Sequence, residues 1–276
     1  MKQVEARAWE NLSSAIRSDR QIRNPKSEIS NEGIVVLIEE ITMDDFTSGL
    51  EKTRTVIIPF GATEEHGPHL PLGVDTIHVY EVCKEAAQQI PVFVAPPLLY
   101  GVCRSTRDHP GTVGIRPSTL RTITADLISN LYRQGLLHFL IISGHASGLH
   151  MSCLIEVGEE FLQSYAGIRL AVLSLLDLGM PAWQEVITTK DDSHAGEVET
   201  SLMLHLRPHL VGKARPREWP RFPEHLLVSD KLRYWPGGVW GDASHASERK
   251  GRKLFDLSVA ALVRLIKDLD GDGESL

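Results

Sequence analysis

The chain has 276 residues, 42% of them apolar and 24% charged, the balance of a globular protein with room for a sizeable core. Its net charge of −7, from 29 Lys and Arg against 36 Asp and Glu, argues against nucleic acid as a partner. The 3 cysteines, Cys83, Cys103 and Cys153, have no paired spacing, which excludes a disulfide framework and an all-thiolate zinc site and fits reduced thiols of a cytoplasmic protein.

Residues 1–28 read as a polar helical arm in which Ala6, Trp9, Leu12 and Ile16 recur at helical spacing, a face to dock on the body or on a neighbouring subunit. The arm has no apolar stretch of the kind that makes a secretory leader. Nowhere does the chain reach the ~18 uninterrupted apolar residues of a membrane-spanning helix, so no membrane contact is expected. Residues 33–38 predict a short strand, and Thr42 caps a helix that starts in the Thr42-Met43-Asp44-Asp45-Phe46 stretch. The apolar run 55–60 predicts a buried strand that ends in an acidic loop, followed by a helix over 76–89. A strand begins at Phe93, and residues 96–101 form a loop holding Cys103 just beyond it; Cys103 is the one cysteine with a claim to function. Residues 118–134 predict a helix capped by Ser118, 138–142 a strand, 149–164 a helix and 169–176 a strand. Asp192 to Glu199 opens a helix running to about Leu206, and 253–269 is an amphipathic helix. The segment 207–246, rich in Trp, Pro and Gly, is irregular, and a loop of that length is often functional. Strands alternating with helices predict parallel pairing through right-handed crossovers, in a single α/β domain over 29–276.

Three predicted strand ends carry the chemistry. The loop Gly61-Ala62-Thr63-Glu64-Glu65-His66-Gly67-Pro68-His69 continues to Asp75. Glu64 and His66 are two apart and share one side of extended chain, and Asp75 can fold back to meet them. Carboxylate and imidazole together suit zinc, manganese or iron, and ligands of open α/β sheets bind beyond the carboxyl ends of strands. His145 lies in a glycine-flanked turn after the strand 138–142. The third end, Asp192-Ser193-His194-Ala195-Gly196-Glu197-Val198-Glu199, carries one imidazole and two candidate carboxylates at a helix start. There the positive end of the helix dipole disfavours protonation, so His194 is expected to be neutral near pH 7 and able to shuttle a proton.

These segments, with Pro110-Gly111-Thr112 and Gly238-Val239-Trp240-Gly241-Asp242, resemble the creatininase (creatinine amidohydrolase) family over about residues 34–252. The resemblance implies a three-layer α/β/α sandwich with a mostly parallel sheet, assembly into a homohexamer, and two divalent metal ions, zinc foremost, bridged by an Asp and a hydroxide. Carried over by position, Asp75 is the bridge, Glu64 and His145 hold one metal, His66 holds the other, and His194 is the proton shuttle. The family's namesake enzyme supplies a Glu two residues after the turn histidine, where this chain has Ser147. A carboxylate must come from elsewhere: Glu199 is the expected ligand, with Glu197 the competing one and a further candidate for proton transfer. Before the Pro-Gly-Thr, where relatives often carry a Glu-His pair, this chain has Arg104-Ser105-Thr106-Arg107-Asp108-His109. Two arginines facing the pocket would suit an anionic or hydroxyl- and carbonyl-rich substrate. The expected activity is metal-dependent hydrolysis of a small cyclic amide or related C–N bond. The alternatives are ring-opening of an oxidised cyclitol such as 3-dehydro-scyllo-inosose, a cyclic diketone, and a non-catalytic metal- or ligand-binding protein, which Ser147 would favour.

Overall fold

The apolar runs expected as strands pair side by side in the computed structural model, which describes residues 35–271. The expected arm 1–28 lies outside the described residues; residues 33–276 form one unit. The sheet contains β1 (Val35–Leu37), β2 (Thr55–Phe60), β3 (Val92–Val94), β4 (His138–Ser143) and β5 (Arg169–Ser174), in the order β1-β3-β2-β4-β5. Every pairing in it is parallel, so the expected "mostly parallel" sheet is wholly parallel among the described strands. β2 is central and buried along its whole length, as a strand covered on both faces must be.

Alternation along the strands sends neighbouring residues to opposite faces. Val56, Ile58, Phe60, Phe139 and Ile141 join one apolar cluster, with Leu120 and Ile128 of α3 (Pro117–Arg133) and Leu154 and Val157 of α4 (Gly148–Ser164). Phe46 of the short α1 (Met43–Gly49) packs against that same cluster. Ile57, Leu140 and Ile142 face the other way, onto Val79 and Val82 of α2 (Val74–Ala87), Trp183 of α5 (Leu175–Trp183), Leu202 of α6 (Glu197–Leu206) and Leu254 and Leu262 of α7 (Glu248–Asp270). The result is the expected three-layer α/β/α sandwich.

Two local differences have physical reasons. Thr42 caps α1 as expected, in a reciprocal box with Asp45. By contrast α3 is entered from Arg116 with Pro117 at its first position, where the missing N–H costs nothing, and Ser118 lies inside the first turn. The run expected as strand to residue 176 stops at Ser174, whose hydroxyl and Asp177 form a second capping box and start α5. Residues 207–246 hold only a two-residue antiparallel pair, β6 (Arg217–Glu218) with β7 (Gly241–Asp242), and 3-10 turns.

Candidate active site

β2 and β4 are neighbours in register, with Phe60 opposite Ser143, so the loops leaving both strands emerge side by side. The β2 loop carries Glu64, Glu65 and His66, and all three are buried. The loop leads into α2, whose first turn contains Asp75. The β4 turn delivers His145 to the same place because Gly144 has no side chain: a Cβ there would fall 2.0 Å from the Asp75 carbonyl oxygen. His145 Nδ1 consequently lies 2.8 Å from Glu64 Oε2 and 3.3 Å from Asp75 Oδ2.

The third element approaches from above. α6 begins at Glu197, later than expected, and His194 sits in the turn before it. It is held there by paired backbone bonds with Trp240, at 3.1 and 2.7 Å. Glu199, in the first turn of α6, comes within 3.6 Å of His66 Nε2 while Asp75 Oδ1 lies 3.2 Å from that same nitrogen. Two half-sites thus share Asp75: Glu64, Asp75 and His145 on one side, His66, Asp75 and Glu199 on the other.

Glu197 is not brought to this cluster. Its carboxylate accepts from the Thr188 and Thr189 backbone N–H groups at 2.9 and 2.7 Å and pairs with Lys250 of α7. Burial opposes its ionisation, but Lys250 and the threonine donors outweigh that and hold its pKa at about 2. A carboxylate saturated in this way ties α6 to α7 and has no lone pair to spare for chemistry in the cavity.

The imidazoles are oriented as metal ligands require. His66 Nδ1 faces the Glu64 carbonyl oxygen at 3.1 Å and His145 Nε2 the Val102 carbonyl oxygen at 3.2 Å. A carbonyl only accepts, so each of these nitrogens carries a proton, which leaves the other nitrogen, facing the carboxylates, as the atom a metal ion would take in place of a proton. Two inward atoms, His66 Nε2 and Asp75 Oδ2, are buried without a hydrogen-bond partner among the described residues. Buried carboxylates need compensating positive charge. Without an ion the imidazoles supply it. Burial depresses His66 and His145, yet Asp75 with Glu199, and Glu64 with Asp75, raise both well above the ordinary value. Burial likewise opposes ionisation of Asp75 and Glu199, but His66 foremost lowers Asp75 well below the carboxylate range and holds Glu199 at about 2. An O and N donor set of this kind, with sites shared through one carboxylate, fits divalent zinc, manganese or iron.

His194 differs from the sequence expectation. Burial and the His66 charge both disfavour its protonation, but Glu65, Glu64 and Glu199 together raise its pKa. The helix dipole does not govern it, because the helix starts three residues later. Its Nε2 donates to the Glu65 carbonyl oxygen at 2.8 Å and lies 3.5 Å from Glu65 Oε1. Glu65 is itself fixed by the Gly67 N–H at 2.8 Å and by Gly238, where φ is +64° and a Cβ would overlap the carboxylate at 1.9 Å.

A cavity of about 220 Å³ opens over the cluster, lined among others by Arg104, Ser147, His194, Trp235 and Trp240. Several of these residues carried no signal in single-residue reading. Glu65 shows only by alternation, as the residue between two ligands. Trp235 is anchored by His109 Nε2 on its carbonyl oxygen at 2.7 Å and stands 5.3 Å from the His194 ring. His150, pushed down to about 3 chiefly by burial, packs 5.0 Å from His145. Asp192 accepts from the Glu197 and Val198 N–H groups and so caps α6. Arg107 pairs with Asp108 at 3.3 Å and does not line the cavity; Arg104 does, and has no ion-pair or hydrogen-bond partner among the described residues.

The chain is similar to known proteins along most of its length. A family model described as Creatininase, creatinine amidohydrolase, matches residues 39–266. The chain is 30% identical over 252 residues to creatinine amidohydrolase of Pseudomonas putida, covering 84% of this chain and 96% of that one. It is 28% identical over 240 residues to mycofactocin precursor peptide peptidase of Mycobacterium ulcerans, with 79% and 88% covered. It is 26% identical over 277 residues to 3-dehydro-scyllo-inosose hydrolase of Thermotoga maritima, with 85% and 83% covered. Among solved structures, one named Creatininase Mn aligns with a TM-score of 0.79 at 26% identity over 86% of this chain and all 100% of that one. A mutant creatininase of Zn-Zn type aligns with a TM-score of 0.76 at 26% identity, with 86% and 100% covered.

Proposed function

Because this chain belongs to the creatininase family and is a hydrolase, we propose that it works with two divalent metal ions and cleaves a small cyclic amide or a related C–N bond. The observation that carries this reading is the sharing of Asp75 between two sets of inward-facing ligand atoms. Glu64, Asp75 and His145 would hold one ion, and His66, Asp75 and Glu199 the other. Bound there, divalent ions supply Lewis acidity, which makes water a nucleophile near neutral pH and polarises a carbonyl.

The residues of the chain do the rest. His194 has its Nε2 proton committed to the Glu65 carbonyl oxygen, which leaves Nδ1 as the atom that takes up a proton and returns it to the leaving nitrogen. The pairing of His194 with Trp240 and the ring of Trp235 fix its plane. Trp235 and Trp240 also wall the cavity and limit water around the reacting bond. Arg104, whose guanidinium has no partner among the described residues, faces the cavity and would meet a carbonyl, hydroxyl or anionic oxygen of the substrate.

That guanidinium is also what favours a second reading, ring-opening of an oxidised cyclitol at a C–C bond beside a carbonyl, the kind of compound named for the relative in Thermotoga maritima. Membership in a hydrolase family removes the non-catalytic reading. A turnover screen of metal-replete protein against lactams, formamides, peptides and cyclic diketones tests the choice. Turnover of an amide and none of the diketones supports the first reading; the reverse result replaces it with the second. We read the assembly as a cytoplasmic homohexamer of this chain, with a small molecule as its substrate; a monomer by light scattering at micromolar concentration would contradict the hexamer.

A further inference from the structure

Cys103 stands out among the buried groups that the reading above does not use. It follows β3 in the loop that also supplies the Val102 carbonyl to His145, and it is only 5% exposed. Its Sγ has one weak contact, 3.8 Å from the Gly101 carbonyl oxygen. Yet Sγ, a Glu64 carboxylate oxygen and a His145 ring nitrogen all lie within 4.8 Å of one another. Beside this group, Asp75 Oδ2 is buried, lies 3.3 Å from His145 Nδ1 and has no hydrogen-bond partner among the described residues.

The turn after His145 offers little else. Ser147 contributes a hydroxyl to the cavity wall, and the first turn of α4 contains no acidic residue. On the other side, Glu199 is placed toward His66. The half-site around Glu64 and His145 therefore has a thiol where a further ligand is wanted.

We propose that the Cys103 thiolate is a ligand of the metal ion held by Glu64, Asp75 and His145. This rests on the two-ion reading above and adds to it a chemical difference between the ions. One half-site contains sulfur, nitrogen and oxygen donors; the other, at His66, Asp75 and Glu199, contains nitrogen and oxygen alone. Thiolate favours zinc over the harder manganese, so the first half-site selects zinc while the second accepts either. On binding, the S–H bond breaks, the sulfur–metal bond forms and the proton leaves to solvent, so loading releases an additional proton at this site.

The test is cobalt substitution of the full-length protein, read by absorption, together with X-ray absorption at the zinc edge. The wild type is expected to show a thiolate-to-cobalt charge-transfer band, lost in Cys103→Ser, and a sulfur scatterer at ~2.3 Å from zinc. In a zinc–manganese mixture Cys103→Ser should take up more manganese than the wild type. Cobalt or zinc bound with oxygen and nitrogen neighbours only overturns this inference and leaves the two-ion reading standing. A band that survives in Cys103→Ser also overturns it, since the sulfur is then another cysteine. A protein that binds no ion refutes both. If Cys103→Ser does not fold, the zinc-edge spectrum of the wild type decides alone.

Discussion

The two oxygens of Asp75 face different imidazoles, His66 through Oδ1 and His145 through Oδ2, and everything else at the residue scale is arranged about that carboxylate. Glu199 and Glu197 show why position matters more than type. A helix turns about 100° per residue, so residues two apart project to nearly opposite sides. With Glu199 turned to His66, Glu197 must turn away, and it does, toward Lys250. Glu199→Gln is therefore expected to lower the occupancy of one metal ion, while Glu197→Gln leaves both; elemental analysis of the two variants gives the answer, and the opposite pattern refutes the assignment. The Nε2 proton of His194 goes to the Glu65 carbonyl oxygen, so His194→Asn should keep both ions and lose ~10²–10⁴-fold in turnover. Loss of metal in that variant would make His194 a ligand. The spacing of Glu64, His66 and Asp75 made the first half of this cluster legible in the sequence. The choice between Glu197 and Glu199 was not legible, because it depends on the residue at which α6 starts. The charge environment of His194 was not legible for the same reason: three residues of turn separate it from the helix start and place it among carboxylates.

At the scale of elements, the site is a product of register. β2 and β4 end level with each other, and glycine at 144 lets the β4 turn close on α2. The strands were readable from apolar runs, since a central parallel strand must be apolar on both faces. α5 was not, although Ser174 and Asp177 signal its start, because the apolar run of β5 continues straight into it. The contribution of Glu197 belongs here, as the tie between α6 and α7. Its folded pKa of about 2 is below the ordinary 4.5, so its stabilisation is present in full above 4.5 and is lost as pH falls toward 2. Glu197→Ala should lower stability by roughly 1–3 kcal/mol at pH 7, because it takes the acceptor from the Thr188 and Thr189 N–H groups. The deficit should shrink below pH 4. Urea denaturation at both pH values measures it, and a deficit independent of pH would show that the tie is not ionic.

For the whole molecule, the sandwich is a scaffold that collects three acids and two imidazoles at one end of its sheet, and bound cations would offset the cost of collecting them further than the imidazoles alone do. Each ion at a hundred times its Kd adds ~2.7 kcal/mol to folding stability. Stripping the ions should therefore lower Tm at pH 7 to 8. In the stripped protein His66 and His145 have raised values, so their contribution is complete below the ordinary 6.5 and is lost as pH rises through those values. The same protons compete with metal. Both effects have one sign: the Tm gap between loaded and stripped protein should narrow as pH falls from 8 to 5. Thermal melts with and without chelator test this, and a gap that widens toward acid would contradict it. The measurement that bears most directly on the central claim is metal content. Elemental analysis of metal-replete wild type and of Asp75→Ala should give close to two divalent ions per chain in the first and none in the second. Two ions retained in Asp75→Ala, or the loss of only one, would show that Asp75 does not serve both.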